Sequence, residues 1–346
     1  MATNAVFPGA PARAGMYESF FLRAVSPQEP VGVWIRHTVH KPRGQRATGS
    51  VWCTVFDARR GRPFMAKVTG EELGVPAGGW IEAGRARMTP TSAEGSCGGA
   101  RWSLRFASDE PELRHLPREW LYRTPLPPTK LTSPMPAASF DGVLELAGRD
   151  AIEVRGWPGM VGHNWGSHHA ERWIWLHGVG FSEQPEAWLD VAVGRLRLGG
   201  RMTPWTANGA LSLEGRRYRL GGLIPRGVEV AESARGCVMQ LAGERGLAVG
   251  IRVEVPEGAA AVWRYADPDG EEQELAQAPE LAQAPGPGSA AGRPPTLPAT
   301  RPGGRDVVNC SVAALELTVQ VPGERVCRTL RTGHCGAYEL GVRSGI

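Results

Sequence analysis

Lysine is scarce in this chain, and only Lys41, Lys67 and Lys130 occur among its 39 basic residues. The arginines are scattered along 346 residues and are balanced by 35 acidic residues, so the chain has no basic block that would follow a nucleic-acid backbone. The net charge of +4 is therefore typical of a solvated surface, and we expect no nucleic-acid partner.

Long apolar runs and paired cysteines are also absent. No segment approaches the roughly 20 uninterrupted apolar residues of a membrane helix, and the N-terminal residues lack the pattern of a signal peptide. Without a CxxC pair, the cysteines are expected to be buried thiols of a reducing, cytoplasmic compartment. They are Cys53, Cys97, Cys237, Cys310, Cys327 and Cys335.

Short segments of alternating apolar and polar residues are abundant, as expected of strands. In Arg101–Phe106 the alternation is complete. In Val31–His40 one face is apolar, whereas the other carries Trp34, Arg36 and His40, which suits neither open solvent nor a plain core. With 46 glycines and 29 prolines to supply turns, the chain is predicted to be all-β with few short helices.

Two stretches interrupt this pattern. Ser108–Trp120 resembles a helix with a polar cap and a proline in its first turn. Residues 123–138 contain five prolines, which argue against a central strand and predict an interdomain linker. We therefore place an N-terminal domain at 1–133 and a C-terminal domain at 134–346, with a disordered low-complexity loop at about 276–305.

The segment Trp157–Val193 is the richest in functional side chains, with five of the twelve tryptophans and four of the eight histidines. On the predicted strand 172–181, Trp173, Trp175 and His177 share one face and aliphatic residues occupy the other. A strand that is apolar on both faces is expected to be buried on both.

Asp190 lies in the middle of the next predicted strand, 187–197, on the same face as Trp188. Burying an unpaired carboxylate costs on the order of several kcal/mol, so Asp190 is expected to be paired or to be kept protonated. A carboxyl that stays neutral near neutral pH can act as a general acid. The alternative is a structural aspartate that binds a turn or an arginine such as Arg172 or Arg195.

His163 and Trp165 are two residues apart, so an extended backbone places both on one side of a strand. They form either a packed pair or part of a functional site. The histidines show no helical metal-ligand spacing, and the adjacent His168 and His169 would diverge on a strand, so we expect no metal. The sequence also lacks a nucleotide-binding or nucleophile motif, and we expect no cofactor.

Several short motifs carry a resemblance to a known family. They are Tyr17–Phe21, Trp34–Arg36, Pro128–Leu131, Phe140–Gly142, Gly162–Gly166 and Trp188–Asp190. With them the chain resembles the lipocalin-like two-domain family of carotenoid 1,2-hydratase (hydroxyneurosporene synthase), and more distantly tocopherol cyclase and lipocalin-like Diels–Alderases. The resemblance implies two lipocalin-like (calycin) antiparallel β-barrel halves in tandem, with a ligand cavity in or between them.

The resemblance also implies roles for particular residues. In the hydratase a His-x-Trp pair and a later Tyr-x-Asp pair are associated with the active site, with the aspartate as proton donor. His163 and Trp165 match the first pair, Asp190 matches the acid, and Trp188 stands where the family has tyrosine.

We therefore predict acid-catalysed hydration or cyclisation of an apolar isoprenoid or polyene alkene, with Asp190 and His163 as catalytic residues. The expected substrate-binding residues are Trp34, Trp165, Trp173, Trp175, His177 and Trp188. A Diels–Alderase-like pericyclase and a non-catalytic carrier are the alternatives. Each implies a lipophilic small molecule as partner, and arginines near the N-terminal strands allow peripheral membrane contact.

Overall fold

The prediction of an all-β protein is confirmed. A computed structural model describes residues 3–70, 72–223, 227–269 and 304–343. Within these ranges the helices are three short 3₁₀ turns, at Phe7–Gly9, Glu119–Tyr122 and Glu244–Gly246. None of the described helices is long and apolar enough to cross a membrane.

The first half of the chain forms an antiparallel sheet of twelve strands, here called the first barrel. Its strands are β1 (Met16–Val25), β2 (Val31–Lys41), β3 (Thr48–Asp57), β4 (Phe64–Gly70), β5 (Leu73–Gly74), β6 (Ile81–Ala83), β7 (Ala86–Met88), β8 (Ser92–Cys97), β9 (Ala100–Ala107), β10 (Leu113–Arg114), β11 (Thr129–Leu146) and β12 (Ile152–Gly166). They pair in the order β4-β3-β2-β1-β12-β11-β9-β8-β7-β6-β5, with β10 on β11. Because β2 and β3 also contact β6 across the opening, the sheet is nearly closed.

The second half forms a ten-stranded sheet, the second barrel, and a small two-stranded ribbon. Its strands are β13 (Arg172–Gly178), β14 (Trp188–Arg195), β15 (Arg197–Leu198), β16 (Arg201–Met202), β17 (Thr206–Leu213), β18 (Arg216–Gly221), β19 (Glu229–Ser233), β20 (Gly236–Ala242), β21 (Ala248–Glu254), β22 (Ala261–Ala266), β23 (Gly304–Gln320) and β24 (Arg328–Arg343). The order is β18-β17-β14-β13-β24-β23-β21-β20-β19, with β22 on β23, and β15 and β16 form the ribbon. The two lipocalin-like halves are thus confirmed.

The structure corrects the predictions for both stretches that interrupt the strand pattern. The predicted linker is wrong in its second part, because β11 runs through Pro134 and Pro136 as a central strand between β9 and β12. Its register with β12 shifts on either side of Met135, and such bulges tolerate proline. The helix predicted at 108–120 is also wrong: this segment holds the two-residue strand β10 and the start of the Glu119–Tyr122 turn, and is otherwise irregular.

The chain passes from one barrel to the other between Gly166 and Arg172. Residues 134–166, which the predicted boundary assigns to the C-terminal domain, pair within the first barrel. The division into folding domains stays a prediction, and the sheets themselves divide at this later point. Of the predicted low-complexity loop, residues 276–303 lie outside the described residues and 304–305 begin β23.

The two barrels pack side by side along a surface here called the seam. On β1, Phe20 points into the first barrel, whereas Phe21 meets Trp175 of the second barrel and Arg23 meets His177. All ten residues of β1 are buried, since one face of the strand covers the core of the first barrel and the other face packs against the second barrel.

The thiols agree in part with the prediction. All six cysteines are free, and five of them are buried. Cys327 is exposed, because it lies in the connection between β23 and β24.

A buried ion-pair cluster joins the barrels at one end of the seam. Asp267 binds His169 Nδ1 at 2.8 Å and Arg305 Nη2 at 2.9 Å. From the first barrel, His40 donates its Nε2–H to the Asp267 carbonyl, and the Tyr17 ring stacks on His169 at 3.9 Å between centroids. Burial acts to raise the pKa of Asp267, but His169 and Arg305 outweigh it and hold the pKa below its ordinary value.

Asp267→Asn is expected to lower the free energy of unfolding by about 3 kcal/mol, because Arg305 would keep its buried charge without a counterion. Urea unfolding near neutral pH measures this. The stabilisation is present above the pKa of the unfolded carboxyl and disappears as the pH falls through the lower folded pKa. Asp269→Asn is the matched control, because the Asp269–His168 pair is exposed and should contribute little. Equal losses in both variants would contradict the assignment.

Candidate active site in the seam

Asp190 lies at the centre of β14 and is completely buried. Its neighbours Leu189 and Val191 point into the second barrel, so the Asp190 carboxylate points into the seam. Three groups donate hydrogen bonds to it: His115 Nε2–H at 3.1 Å and Trp175 Nε1–H at 3.0 Å to Oδ1, and the Ser133 hydroxyl at 2.5 Å to Oδ2.

These donors correct the expectation that burial keeps Asp190 neutral. Burial does act to raise its pKa, but the neighbouring His115 and the hydrogen bonds from His115 and the Ser133 hydroxyl outweigh burial and hold the pKa below its ordinary value. A carboxylate that accepts several hydrogen bonds is stabilised in its charged form. Asp190 is therefore an ionised hydrogen-bond acceptor near neutral pH.

His115 is the most direct partner of Asp190 and is itself buried. Its Nε2 faces the carboxylate, whereas its Nδ1 is buried and has no hydrogen-bond partner among the described residues. Arg219 fixes the backbone here by donating to the His115 carbonyl at 3.0 Å. The imidazole is thus oriented by one nitrogen and has the other available for a proton.

His177 pairs directly with Asp190 across β13 and β14, and its tautomer is defined by its contacts. Arg23 Nη1 donates to His177 Nδ1 at 2.8 Å, and His177 Nε2–H donates to the Pro136 carbonyl at 2.8 Å. Burial, followed by the charge of Arg23, lowers the pKa of His177 to about 4. His177 is therefore neutral and connects a buried cation to the Asp190 site.

Four of the predicted aromatic residues, Trp34, Trp173, Trp175 and Trp188, lie in or against the seam, but in separate places. Trp175 packs edge-on against Phe21 at 5.6 Å beside Asp190. Trp173 and Trp34 belong to an aromatic patch further along, through Tyr265 and Trp263 respectively. Trp188 is buried on β14, with the Arg217 guanidinium 4.9 Å from its ring centre.

His163 and Trp165 lie on the opposite side of the first sheet from Asp190. His163 Nε2 binds Glu18 Oε1 at 2.7 Å, and its ring stacks on Phe20 at 4.0 Å and on Trp165 at 4.5 Å. The two residues that we predict to be catalytic, His163 and Asp190, therefore do not contact each other. The share of His163 in catalysis stays a prediction.

Sequence reasoning missed His115, Ser133 and Arg23. His115 lies in the segment predicted to be helical and Ser133 lies in the predicted linker, so neither had a strand face assigned. Arg23 follows the Tyr17–Phe21 motif by two residues, and a polar residue within an apolar run is the one available signal. No group of three or more potential metal ligands occurs in the part of the chain that the structure describes.

Comparison with known proteins supports the fold and leaves the family open. No protein-family model matches the chain. Two uncharacterised proteins of Mycobacterium tuberculosis, from strains CDC 1551 and H37Rv, are 27% identical over 176 residues, or 50% of this chain. The match spans about half the length of these curated relatives, 52%.

Solved structures are similar over nearly the whole chain. A candidate AttH from Nitrosomonas europaea has a TM-score of 0.53 at 12% identity, covering 100% of this chain and 98% of its own. CghA bound to Sch210972 has a TM-score of 0.57 at 12% identity, covering 96% and 89%. Kievitone hydratase from Nectria haematococca has a TM-score of 0.50 at 10% identity, covering 99% and 93%.

At these identities the similarity shows the lipocalin-like fold alone. Membership of the carotenoid 1,2-hydratase family stays a prediction.

The buried neutral His177 makes stability depend on pH. Its pKa of about 4 lies below the ordinary 6.5, so the unfolded chain binds more protons between these values. The free energy of unfolding should therefore fall as the pH is lowered through this window, by about 3 kcal/mol from this site. Urea unfolding at a series of pH values should show a shallower slope for His177→Asn. His334→Asn is the control, and equal slopes in all three proteins would refute the assignment.

Proposed function

We propose that the protein is an enzyme that transfers a proton to an apolar small molecule in the seam, at the Asp190–His115 pair. One observation carries this proposal: a fully buried carboxylate orients an imidazole whose second nitrogen has no partner. Asp190 already accepts three hydrogen bonds, so His115 is the member of the pair that can exchange a proton. The carboxylate stabilises the imidazolium, as in other aspartate–histidine pairs.

The reaction that we infer is hydration or cyclisation of an alkene. The imidazolium of His115 gives its Nδ1 proton to one alkene carbon, and the π electrons form the new C–H bond. Water captures the cation at the other carbon and returns a proton to His115, which gives an alcohol. Capture by a second π bond of the substrate, followed by loss of a proton to His115, gives a ring instead.

The surroundings of the pair suit an apolar substrate. Phe21, Met160, Trp175 and Ala337 form an apolar cluster in the seam, and Trp175 contacts Asp190 directly. An aromatic face stabilises a nearby cation by about 2 kcal/mol when water is excluded. A hydratase occurs among the proteins of similar fold, which supports hydration as the reaction. The apolar walls support an isoprenoid or polyene alkene as the substrate class that we propose.

A pericyclase is the second candidate. Because Asp190 is ionised, it cannot donate a proton as a neutral acid, and a pericyclase needs no such donor. If His115 stays neutral, its Nδ1 is an acceptor and the site offers shape and polarity without a proton. CghA, a Diels–Alderase, shares the fold. In that case the seam would accelerate ring closure by holding the substrate in a folded conformation.

Asp190→Asn and His115→Phe should each lower kcat at least about 100-fold and change KM little, because proton transfer is lost while the apolar walls remain. The substrate is any lipophile recovered by organic extraction of the purified protein, or failing that a panel of prenylated and polyene alkenes. Assays in D₂O with mass spectrometry report deuterium on carbon, which hydration requires.

Asp267→Asn is the matched control, because it alters another buried Asp–His pair away from Asp190. Its turnover should be unchanged at a temperature where it is folded. A product without deuterium, formed equally well by Asp190→Asn, would favour the pericyclase. Tight binding without product would indicate a carrier. If His115 is the proton donor, His163→Gln should retain turnover, whereas inactivation by this variant would support the predicted catalytic role of His163.

A further inference from the structure

The interior of the first barrel contains a histidine whose ring has no hydrogen-bond partner among the described residues. His37 is completely buried on the inner face of β2, and both of its ring nitrogens lack such a partner. The other seven histidines all lie in the described residues and each has at least one partner at a ring nitrogen. Buried polar groups are nearly always satisfied, so two unpartnered nitrogens on one ring call for an explanation.

Other unpartnered polar atoms face the same interior. They are Trp102 Nε1, on β9, and Thr132 Oγ1, which is next to His163 across β11 and β12. Burial lowers the pKa of His37 to about 4, so the ring is neutral and offers one donor and one acceptor. The interior of the first barrel thus has uncharged hydrogen-bonding capacity that the protein itself does not use.

A cavity of about 730 Å³ opens at the side of this barrel. Five of its lining residues belong to the apolar core of the first barrel: Val51, Ala83, Cys97, Ala100 and Leu146. Val51 pairs directly with His37 across β2 and β3, so the unpartnered ring lies behind this wall residue and is not itself part of the cavity lining. The volume lies within the roughly 300–1,000 Å³ of small-molecule sites, which often occupy the mouths of β-barrels.

The charges at the entrance do not select an ion. Glu72, Glu145, Arg85 and Arg101 line it, with two residues of each sign. At Gly49 an added Cβ would lie 3.0 Å from the Ala83 Cβ, so glycine permits the close approach of β3 and β6 at this part of the wall. A balanced rim, an apolar wall and a neutral imidazole together suit an uncharged molecule.

We propose that the first barrel is a second ligand site, distinct from the seam, which takes an uncharged lipophilic molecule whose hydroxyl or carbonyl group binds His37. The two sites lie on opposite faces of one sheet. Ser133 reaches Asp190 in the seam, whereas the adjacent Thr132 faces the barrel interior. A ligand in the barrel can therefore bind while the seam is altered.

Fluorescence titration of the full chain tests this with two probes, Nile red, which is uncharged and has a carbonyl, and the hydrocarbon diphenylhexatriene. Both should show saturable binding at one site. His37→Phe should weaken Nile red about three- to tenfold by removing one hydrogen bond, and leave diphenylhexatriene within about twofold. Ile35→Leu is the control, because it changes the same face of the same strand without removing a polar group.

Val51→Trp, or Ala100→Leu if the former does not fold by circular dichroism, should weaken both probes by filling the cavity. The cavity variants should leave turnover in the seam unchanged, and Asp190→Asn should leave the binding of both probes unchanged, so failure of this site and failure of the seam mechanism are distinguishable. The proposal is overturned if neither probe saturates, if His37→Phe affects both probes alike, or if both cavity variants bind normally. It is also overturned if Asp190→Asn abolishes binding.

Discussion

The seam depends on how one buried cation is satisfied. The guanidinium of Arg23 is fully buried between the barrels and donates to the carbonyls of Ser311 and Cys335 and to His177 Nδ1. Burial lowers its pKa to about 10, which still leaves it charged near neutral pH. A buried charge is tolerated only with well-placed partners, so Arg23 requires His177 to be neutral with Nδ1 as acceptor. Because His177 pairs with Asp190 across β13 and β14, Arg23 thereby fixes a neutral imidazole beside the Asp190 carboxylate.

The same sheet separates two chemically different environments. Adjacent residues of β11 point to opposite faces, so Thr132 meets the interior of the first barrel and Ser133 meets the Asp190 carboxylate. Bulges in this strand accommodate its prolines and shift its register, and the Pro136 carbonyl accepts a hydrogen bond from His177 at one of these shifts. The irregularity of β11 is therefore part of how the seam site is built.

Strand periodicity predicted the features that depend on neighbouring residues within one strand. The alternation of Arg101–Phe106 is the alternating burial of β9, and the mixed face of Val31–His40 is the seam face of β2. Periodicity also placed Asp190 on a buried face, but it did not identify His115 and Ser133 as the partners of Asp190. His115 and Ser133 are 75 and 57 residues away in sequence and lie in segments without a regular period. Parity within one strand shows which side chains share a face, but it cannot show that His163 and Asp190 lie on opposite sides of a sheet.

The ionised state of Asp190 changes the electrostatics of the proposed reaction. A neutral aspartic acid that protonates an alkene creates an anion and a cation together, and a low-dielectric site penalises this separation of charge. An imidazolium that donates its proton becomes neutral as the carbocation forms, so the positive charge moves without the net charge of the site changing. The Asp190 carboxylate stabilises the cation before and after the transfer. Its three donors fix its position, so little reorganisation accompanies the step. The buried pair is therefore better suited to moving a positive charge than a lone buried acid would be.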